Sequence, residues 1–302
     1  MITEDFEVRD ARFERLILGN VRVETLARGC RWAEGPVHVP AARHLLWSDI
    51  PNDRVMRYDE ITGAVGVFEQ PARCQNGHTL DRQGRVIACE HRARRVTRRE
   101  HDGSLTALAE RWRGKRLNSP NDVVQGPDGA IWFTDPTYGI DSDYEGDAAE
   151  SEIGGSWLWR LSPERGLEPA AQDFAQPNGL AFGPDGRLYV ADTGATHVKD
   201  GPRHIRVFDL DAGGALSGGD VFATCEHGLF DGFRFDALGN LWTSAGDGVH
   251  VYAADGALIG KVRCDEVVAN VEFGGPRRNR LFICATTTLR AVYVRTRGLR
   301  HP

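Results

Sequence analysis

The sequence lacks several features that would place it in other classes of protein. No apolar run approaches the length that a helix needs to cross a membrane, and the polar start MITEDFEVRD has no signal-peptide pattern. The formal net charge is -6, so no broad basic surface is expected for nucleic acid or an anionic membrane. We therefore expect a soluble, cytoplasmic protein with neither nucleic-acid nor membrane partners.

Motifs for several common catalytic mechanisms are also missing. The chain has no GxSxG nucleophile elbow, no P-loop and no GxGxxG after a strand, which disfavours a serine hydrolase or a nucleotide-dependent enzyme. Its 10 histidines include no HExxH and no paired metal spacing. The 6 cysteines are scattered without CxxC spacing, which favours reduced, partly buried thiols over a zinc site or a disulfide framework.

Glycine, by contrast, is abundant, and it marks a repeated unit. Many of the 35 glycines stand in Asp-Gly, Asn-Gly or Pro-Asp-Gly steps, which are typical of tight turns. Six segments begin with a polar side chain, alternate in polarity, turn about eight residues later and re-enter an apolar strand, as in NDVVQGPDGAIWFTD from Asn121. A glycine falls at the turn in four of these units: Gly84, Gly129, Gly186 and Gly239.

The repeat predicts an all-β fold, a six-bladed β-propeller with four-stranded blades. The sixth unit ends after its third strand, and we expect an N-terminal strand within residues 21–28 to complete this last blade. The predicted organisation is an N-terminal extension over residues 1–19 and a single propeller domain over residues 20–302. The longest insertion, residues 136–155, falls between the second and third strands of its blade. Its sequence is equally consistent with a lid and with a surface loop that has no function.

The first residues of the six units form a set that we call the anchors: Glu34, Asn76, Asn121, Asn178, Asp231 and Asn270. Because the first strand of every blade lines the channel of a propeller, the anchors are expected to converge on its axis. Carboxylate and amide oxygens are ligands that hard divalent cations prefer, so the set predicts an axial metal site. The alternative is turn chemistry, because residues 76, 178 and 231 each precede a glycine. Of the histidines, only His78 is expected near the channel.

At these residues the sequence resembles the gluconolactonase, senescence marker protein and regucalcin family. The resemblance is carried by WAEGP at 32–36, RLNSPNDVV at 116–124, QPNGLAF at 176–182 and SAGDGVHVY at 244–252, and LNSPNDVV with WFTDP is similar to the bacterial gluconolactonase branch. It implies a propeller enzyme that uses one divalent metal ion to hydrolyse a sugar lactone of the glucono-1,5-lactone type. The expected partner is then a small sugar lactone, and the expected assembly is a monomer or a weak homodimer.

The resemblance also implies roles for individual anchors. Glu34, Asn178 and Asp231 are implied to hold the metal, and Asp231 to act as general base. Asn121 is implied to complete the metal shell or to contact substrate, and Asn76 is expected to bind sugar hydroxyls with it. Some animal members carry an arginine where this chain has Ser119, so substrate contacts on that side do not transfer.

Several alternatives stay open at the level of sequence. Calcium is the first expectation for the ion, with zinc, magnesium and manganese as alternatives, because one set of oxygen ligands accepts them all. The attack on the lactone starts either with Asp231 or with a hydroxide activated by the ion. The same site also suits an aryl esterase or phosphotriesterase, and a non-catalytic metal-binding propeller is a further alternative.

Overall fold

The computed structural model describes residues 2–299, so Met1 and residues 300–302, at the ends of the two predicted domain ranges, lie outside the described residues. Three short elements precede the first blade: β1 (Phe6–Val8), α1 (Ala11–Glu14) and β2 (Glu24–Arg28). Blade 1 contains β3 (Ala33–Val39), β4 (His44–Asp49), β5 (Arg54–Asp59) and β6 (Val65–Glu69). Blade 2 contains β7 (Gln75–Leu80), β8 (Val86–Glu90), β9 (Arg95–Arg99) and β10 (Leu105–Ala109).

A small hairpin leads to the second half of the ring: β11 (Arg111–Trp112) and β12 (Lys115–Arg116). Blade 3 contains β13 (Val123–Gln125), β14 (Ile131–Asp135), α2 (Tyr138–Asp141), β15 (Ser156–Ser162) and β16 (Gly166–Phe174). Blade 4 contains β17 (Pro177–Phe182), β18 (Leu188–Asp192), β19 (His204–Leu210) and β20 (Leu216–Thr224). Blade 5 contains β21 (Phe233–Phe235), β22 (Leu241–Ala245), β23 (Gly248–Tyr252) and β24 (Leu258–Arg263). Blade 6 contains β25 (Val268–Gly274), β26 (Arg280–Ala285) and β27 (Thr288–Tyr293).

The predicted closure of the last blade is confirmed. β2 pairs antiparallel with β27, Glu24 lying opposite Ala291, which gives blade 6 four strands in the order β2-β27-β26-β25. The first strands of the blades contact one another in the order β3, β7, β13, β17, β21, β25 and back to β3. The sheets therefore form a closed ring, and the six-bladed propeller predicted from the repeat is confirmed.

The N-terminal segment adds a fifth strand to blade 5, which the repeat did not predict. β1 pairs antiparallel with β24, and Phe6 lies opposite Val262. The ring of Phe13 from α1 is fully buried and lies 6.1 Å from the ring of Trp242. A Cβ on Gly260 would lie 2.2 Å from this Phe13 ring, so the glycine makes room for it. The segment therefore belongs to the packed core of blade 5.

We expect Phe13→Ala to destabilise the protein by about 3–5 kcal/mol, because it removes a fully buried ring and leaves a cavity. Chemical denaturation followed by tryptophan fluorescence measures this change in the free energy of unfolding. The control is Phe68→Ala, whose side chain is 38% exposed and should cost much less. An equally small loss in both variants would show that the N-terminal segment contributes little to stability.

The turn glycines and the cysteines agree with their sequence interpretation. Gly84, Gly129, Gly186 and Gly239 have φ angles of +77°, +88°, +79° and +86°, a region that side chains other than glycine rarely adopt. All 6 cysteines are free, and all but Cys264 are buried. No helix within residues 2–299 is long and apolar enough to cross a membrane.

Candidate active site

The six anchors lie at one end of the central channel, where the first strands begin. Neighbouring blades are joined there by backbone hydrogen bonds, from Gly77 N to Asn121 O at 2.8 Å and from Gly232 N to Ala269 O at 2.8 Å. The side chain of Asn270 closes the ring, because its Nδ2 donates to Glu34 Oε2 at 3.0 Å. The structure thus brings together residues that are up to 236 positions apart in the chain.

The glycines after three anchors are explained by close packing between blades. Gly77, Gly179 and Gly232 lie outside the positive-φ region that turn glycines adopt. A Cβ on Gly179 would lie 2.0 Å from the carbonyl oxygen of Asp231, and a Cβ on Gly232 would lie 1.9 Å from Cγ of Asn270. The hairpin-turn alternative is therefore wrong for these positions, and glycine is required because the neighbouring anchor occupies the space.

The two anchor carboxyl groups have raised pKa values. Glu34 is 3% exposed, and its burial, reinforced by the negative charge of Asp122, raises its pKa to about 8. Asp231 remains partly exposed in the channel. Desolvation by the surrounding protein and repulsion from Glu34 raise its pKa well above the ordinary value, while a hydrogen bond with Asn178 acts in the opposite direction. Both groups therefore favour a nearby positive charge.

Two further carboxyl groups, which the sequence analysis missed, add to the negative charge of the site. Asp122 is buried, its Oδ2 has no hydrogen-bond partner among the described residues, and burial raises its pKa to about 6. Glu145 belongs to the insertion, and burial and the charge of Asp141 raise its pKa to about 7. The charge of Glu145 acts on both Glu34 and Asp231. In the sequence, the acidic residue that directly follows the anchor Asn121 indicates Asp122. No pattern in the irregular insertion indicates Glu145.

This negative charge is only partly compensated by the protein. Within residues 2–299, none of Glu34, Asp122, Glu145 and Asp231 forms an ion pair, although the buried Arg234, which binds Glu272 at 2.9 Å, also lowers the pKa of Asp122 through its charge. No three His, Cys, Asp or Glu side chains in this range are arranged to hold a metal, so a cation here would need amide oxygens as well. Carboxylates that have no ion-pair partner and lie beside buried amides fit a hard divalent cation.

Residues at the ends of second strands hold the anchors in place. The backbone N–H of Asp231 donates to Ser244 Oγ at 2.8 Å, and Nδ2 of Asn178 donates to Thr193 Oγ1 at 3.4 Å. Because antiparallel pairing places the end of a second strand beside the start of the first, these hydroxyls lie at the level of the anchors. The anchor positions are therefore fixed by strand register as well as by packing.

Two histidines contact this end of the channel, whereas the sequence predicted only His78. His78 is buried there, and its Nδ1 donates to the carbonyl of Gly35 at 2.7 Å. His91 was not expected near the channel, yet its Nε2 lies 3.3 Å from Nδ2 of Asn76. His91 directly follows β8, whose last residue, Glu90, pairs with Gln75. This pairing places His91 beside Asn76, the residue after Gln75.

The insertion at residues 136–155 lies between β14 and β15 and reaches three other blades. Tyr138 Oη lies 2.6 Å from Thr193 Oγ1 and 3.0 Å from Thr196 Oγ1 of blade 4. Its other contacts are Asp141 with His197 at 2.7 Å, Asp147 with Arg92 at 3.1 Å, and the Tyr144 ring with the Arg31 guanidinium at 5.4 Å. The insertion therefore crosses the end of the channel at which the anchors converge.

Comparison with known proteins gives a consistent family match. A family model described as the SMP-30/gluconolactonase/LRE-like region matches residues 32–287. A gluconolactonase of Zymomonas mobilis is 28% identical over 95% of this chain and 85% of the relative. Pentonolactonase XacC of Haloferax volcanii is 30% identical over 84% of this chain and 81% of the relative.

A solved structure agrees over almost the whole chain. It is that of XC5397, a gluconolactonase from Xanthomonas campestris, which is 36% identical to this chain. The match covers 97% of this chain and 96% of the other, with a TM-score of 0.89.

Proposed function

The chain belongs to the SMP-30/gluconolactonase/LRE-like family, and from this membership we propose that it hydrolyses a sugar lactone to the corresponding aldonic acid. The support comes from relatives named gluconolactonase and pentonolactonase, both of which match most of the chain. The observation at the site that carries the proposal is the pair of desolvated carboxyl groups, Glu34 and Asp231, facing one channel without a cationic partner among the described residues.

We further propose that Glu34, Asn178 and Asp231, together with Asn121, hold one divalent ion. Calcium is the first candidate, and zinc, magnesium and manganese are the alternatives. The support is the fit of two repelling carboxylates and neighbouring amides to a doubly charged ion. When bound, such an ion supplies Lewis-acid polarisation of the lactone carbonyl.

Asp231 is the proposed general base. It is the anchor carboxylate that keeps partial exposure, so a water molecule in the channel can reach it. A neighbouring cation opposes the rise in its pKa and keeps it ionised. Asp231 takes a proton as the water oxygen bonds to the carbonyl carbon, the bond from that carbon to the ring oxygen breaks, and the ring oxygen takes up the proton.

The amide anchors have a different proposed role. Asn121 and Asn76 lie on adjacent blades, joined through the backbone of Gly77, and both side chains are buried at the channel. We propose that they bind the sugar hydroxyls of the lactone, because an amide both donates and accepts hydrogen bonds.

A comparison of substrates tests the proposed function. Purified protein is assayed with glucono-1,5-lactone, an aryl acetate and an organophosphate triester, each corrected for spontaneous hydrolysis. We expect kcat/KM for the lactone to exceed the others by at least about 100-fold, because the site would be built to bind sugar hydroxyls. A preference for the aryl ester or the triester would favour those activities instead, and no turnover of any substrate would favour a non-catalytic propeller.

Tyr138→Phe is expected to lower kcat/KM by about 5- to 10-fold, mainly through KM, which corresponds to the loss of about one net hydrogen bond. The Tyr138 hydroxyl joins the insertion to Thr193, whose Oγ1 also accepts a hydrogen bond from Asn178. Steady-state kinetics with the lactone measure the change. Tyr144→Phe is the matched control, because Tyr144 is 49% exposed and contacts Arg31 through its ring. Equal kinetics in both variants would argue against the insertion as a lid.

A further inference from the structure

A large cavity opens at the end of the channel opposite the anchors. Its volume is about 1810 Å³, larger than the roughly 300–1,000 Å³ of most small-molecule sites. The first strands run from the anchors towards this end, and the cavity is lined where they finish, at His38 of β3, Leu80 of β7 and Phe273 of β25. The cavity therefore opens away from the anchors, and His78 and Arg234 lie between the two regions.

The walls of this cavity concentrate positive charge in a chain whose net charge is -6. The lining arginines are Arg43, Arg82, Arg234, Arg277, Arg278, Arg295 and Arg297, and the lining carboxylates are Glu60, Asp81 and Glu272. Each carboxylate already has a partner: Glu60 with His38 at 2.8 Å, Asp81 with Arg85 at 2.7 Å, and Glu272 with Arg234 at 2.9 Å. The remaining positive charge is therefore not balanced by the acids of the cavity.

Five of these arginines are exposed and form no ion pair with any residue in the range 2–299: Arg43, Arg82, Arg277, Arg295 and Arg297. Arginines elsewhere in the chain commonly have carboxylate partners, as Arg73 has Glu90 at 2.9 Å. Like charges around one space favour an anion inside it.

We propose that this Arg-rich cavity binds a small molecule with two or more phosphate groups. A guanidinium donates two parallel hydrogen bonds to phosphate oxygens, which makes arginine well suited to phosphate. The five arginines come from the turns of the adjacent blades 6, 1 and 2 and from the segment after β27, so the charge is concentrated along one side of the space. A ligand with several phosphates can contact more of these groups at once than a single phosphate can.

Isothermal titration with inorganic tripolyphosphate tests the proposal. We expect wild-type protein to bind it, and Arg295→Gln/Arg297→Gln to bind at least about tenfold more weakly through the loss of charge-assisted hydrogen bonds. Both side chains are exposed and form no ion pair within residues 2–299, so the fold should be retained, which a thermal melt checks. The matched control is Arg15→Gln/Arg57→Gln, which removes the same charge from exposed positions outside the cavity.

Weaker binding by the cavity variant alone supports the proposal. Equal affinity in all three proteins, or no binding by wild type at a low salt concentration of about 0.05 M, would overturn it. Any heat from removal of a divalent ion at the anchors is common to the three proteins, so the difference between them reports on the cavity. Parallel titrations with ATP and with fructose 1,6-bisphosphate distinguish a nucleotide from a phosphorylated sugar.

Discussion

Asp231→Asn is expected to lower kcat for lactone hydrolysis by about 10³-fold while the protein stays folded. The amide has nearly the same size as the carboxylate but does not take up the proton of the attacking water. The backbone hydrogen bond from residue 231 to Ser244 Oγ, 2.8 Å long, does not depend on the side chain. Steady-state kinetics and a circular-dichroism spectrum measure the two effects separately.

The stability of this variant gives a second, independent measurement. Because Asp231 and Glu34 repel each other when both are ionised, removing one charge should raise the melting temperature of chelator-treated protein at a pH above the Glu34 pKa of about 8. Asp220→Asn is the control, since Asp220 is exposed and forms no ion pair within residues 2–299, and it should change neither activity nor melting temperature. If the kcat of Asp231→Asn lies within about tenfold of the wild-type value, Asp231 is not the general base.

Glu34→Gln is expected to weaken calcium binding by at least about 100-fold, because it removes one of two anchor charges from a buried site. The substitution preserves the packing, since the glutamine oxygen can still accept the hydrogen bond from Asn270 Nδ2. With Glu34 this hydrogen bond is 3.0 Å long. Calorimetric titration of chelator-treated protein with calcium chloride measures the affinity. Lactone hydrolysis should fall in parallel and recover in part at high calcium concentration.

Glu164→Gln is the control for this variant. Glu164 is exposed in the turn between β15 and β16, away from the anchors, so its loss should leave calcium affinity unchanged. If Glu34→Gln binds calcium as tightly as wild type does, the ion is not held by Glu34, and the proposed ligand set is wrong.

The propeller could be predicted because its signal is local and repeated. Each unit carries its own polarity alternation, and Gly84, Gly129, Gly186 and Gly239 mark the same turn in four of them. The fifth strand of blade 5 could not be predicted in this way. β1 has 3 residues and no counterpart in the other units, and it is held by contacts of distant residues, such as the pairing of Phe6 with Val262.

The candidate site could be predicted only in part, for a related reason. The anchors were found because topology alone brings the beginnings of first strands together. Asp122 and His91 approach them through strand register, which their sequence positions indicate once the strands are placed, whereas Glu145 approaches through an irregular insertion that residue patterns do not encode. The glycines after the anchors were ambiguous in sequence, because a tight turn and a close approach of two backbones both require glycine.

The most direct test of the account is the rate at which one preparation of the protein opens glucono-1,5-lactone in three states. These are the untreated protein, the protein freed of divalent ions by a chelator and dialysis, and the same sample after calcium is returned. We expect stripping to lower the rate by at least about 10³-fold and a returned divalent ion to restore it. If stripped protein, shown by elemental analysis to be free of metal, opens the lactone as fast as untreated protein, the account is contradicted.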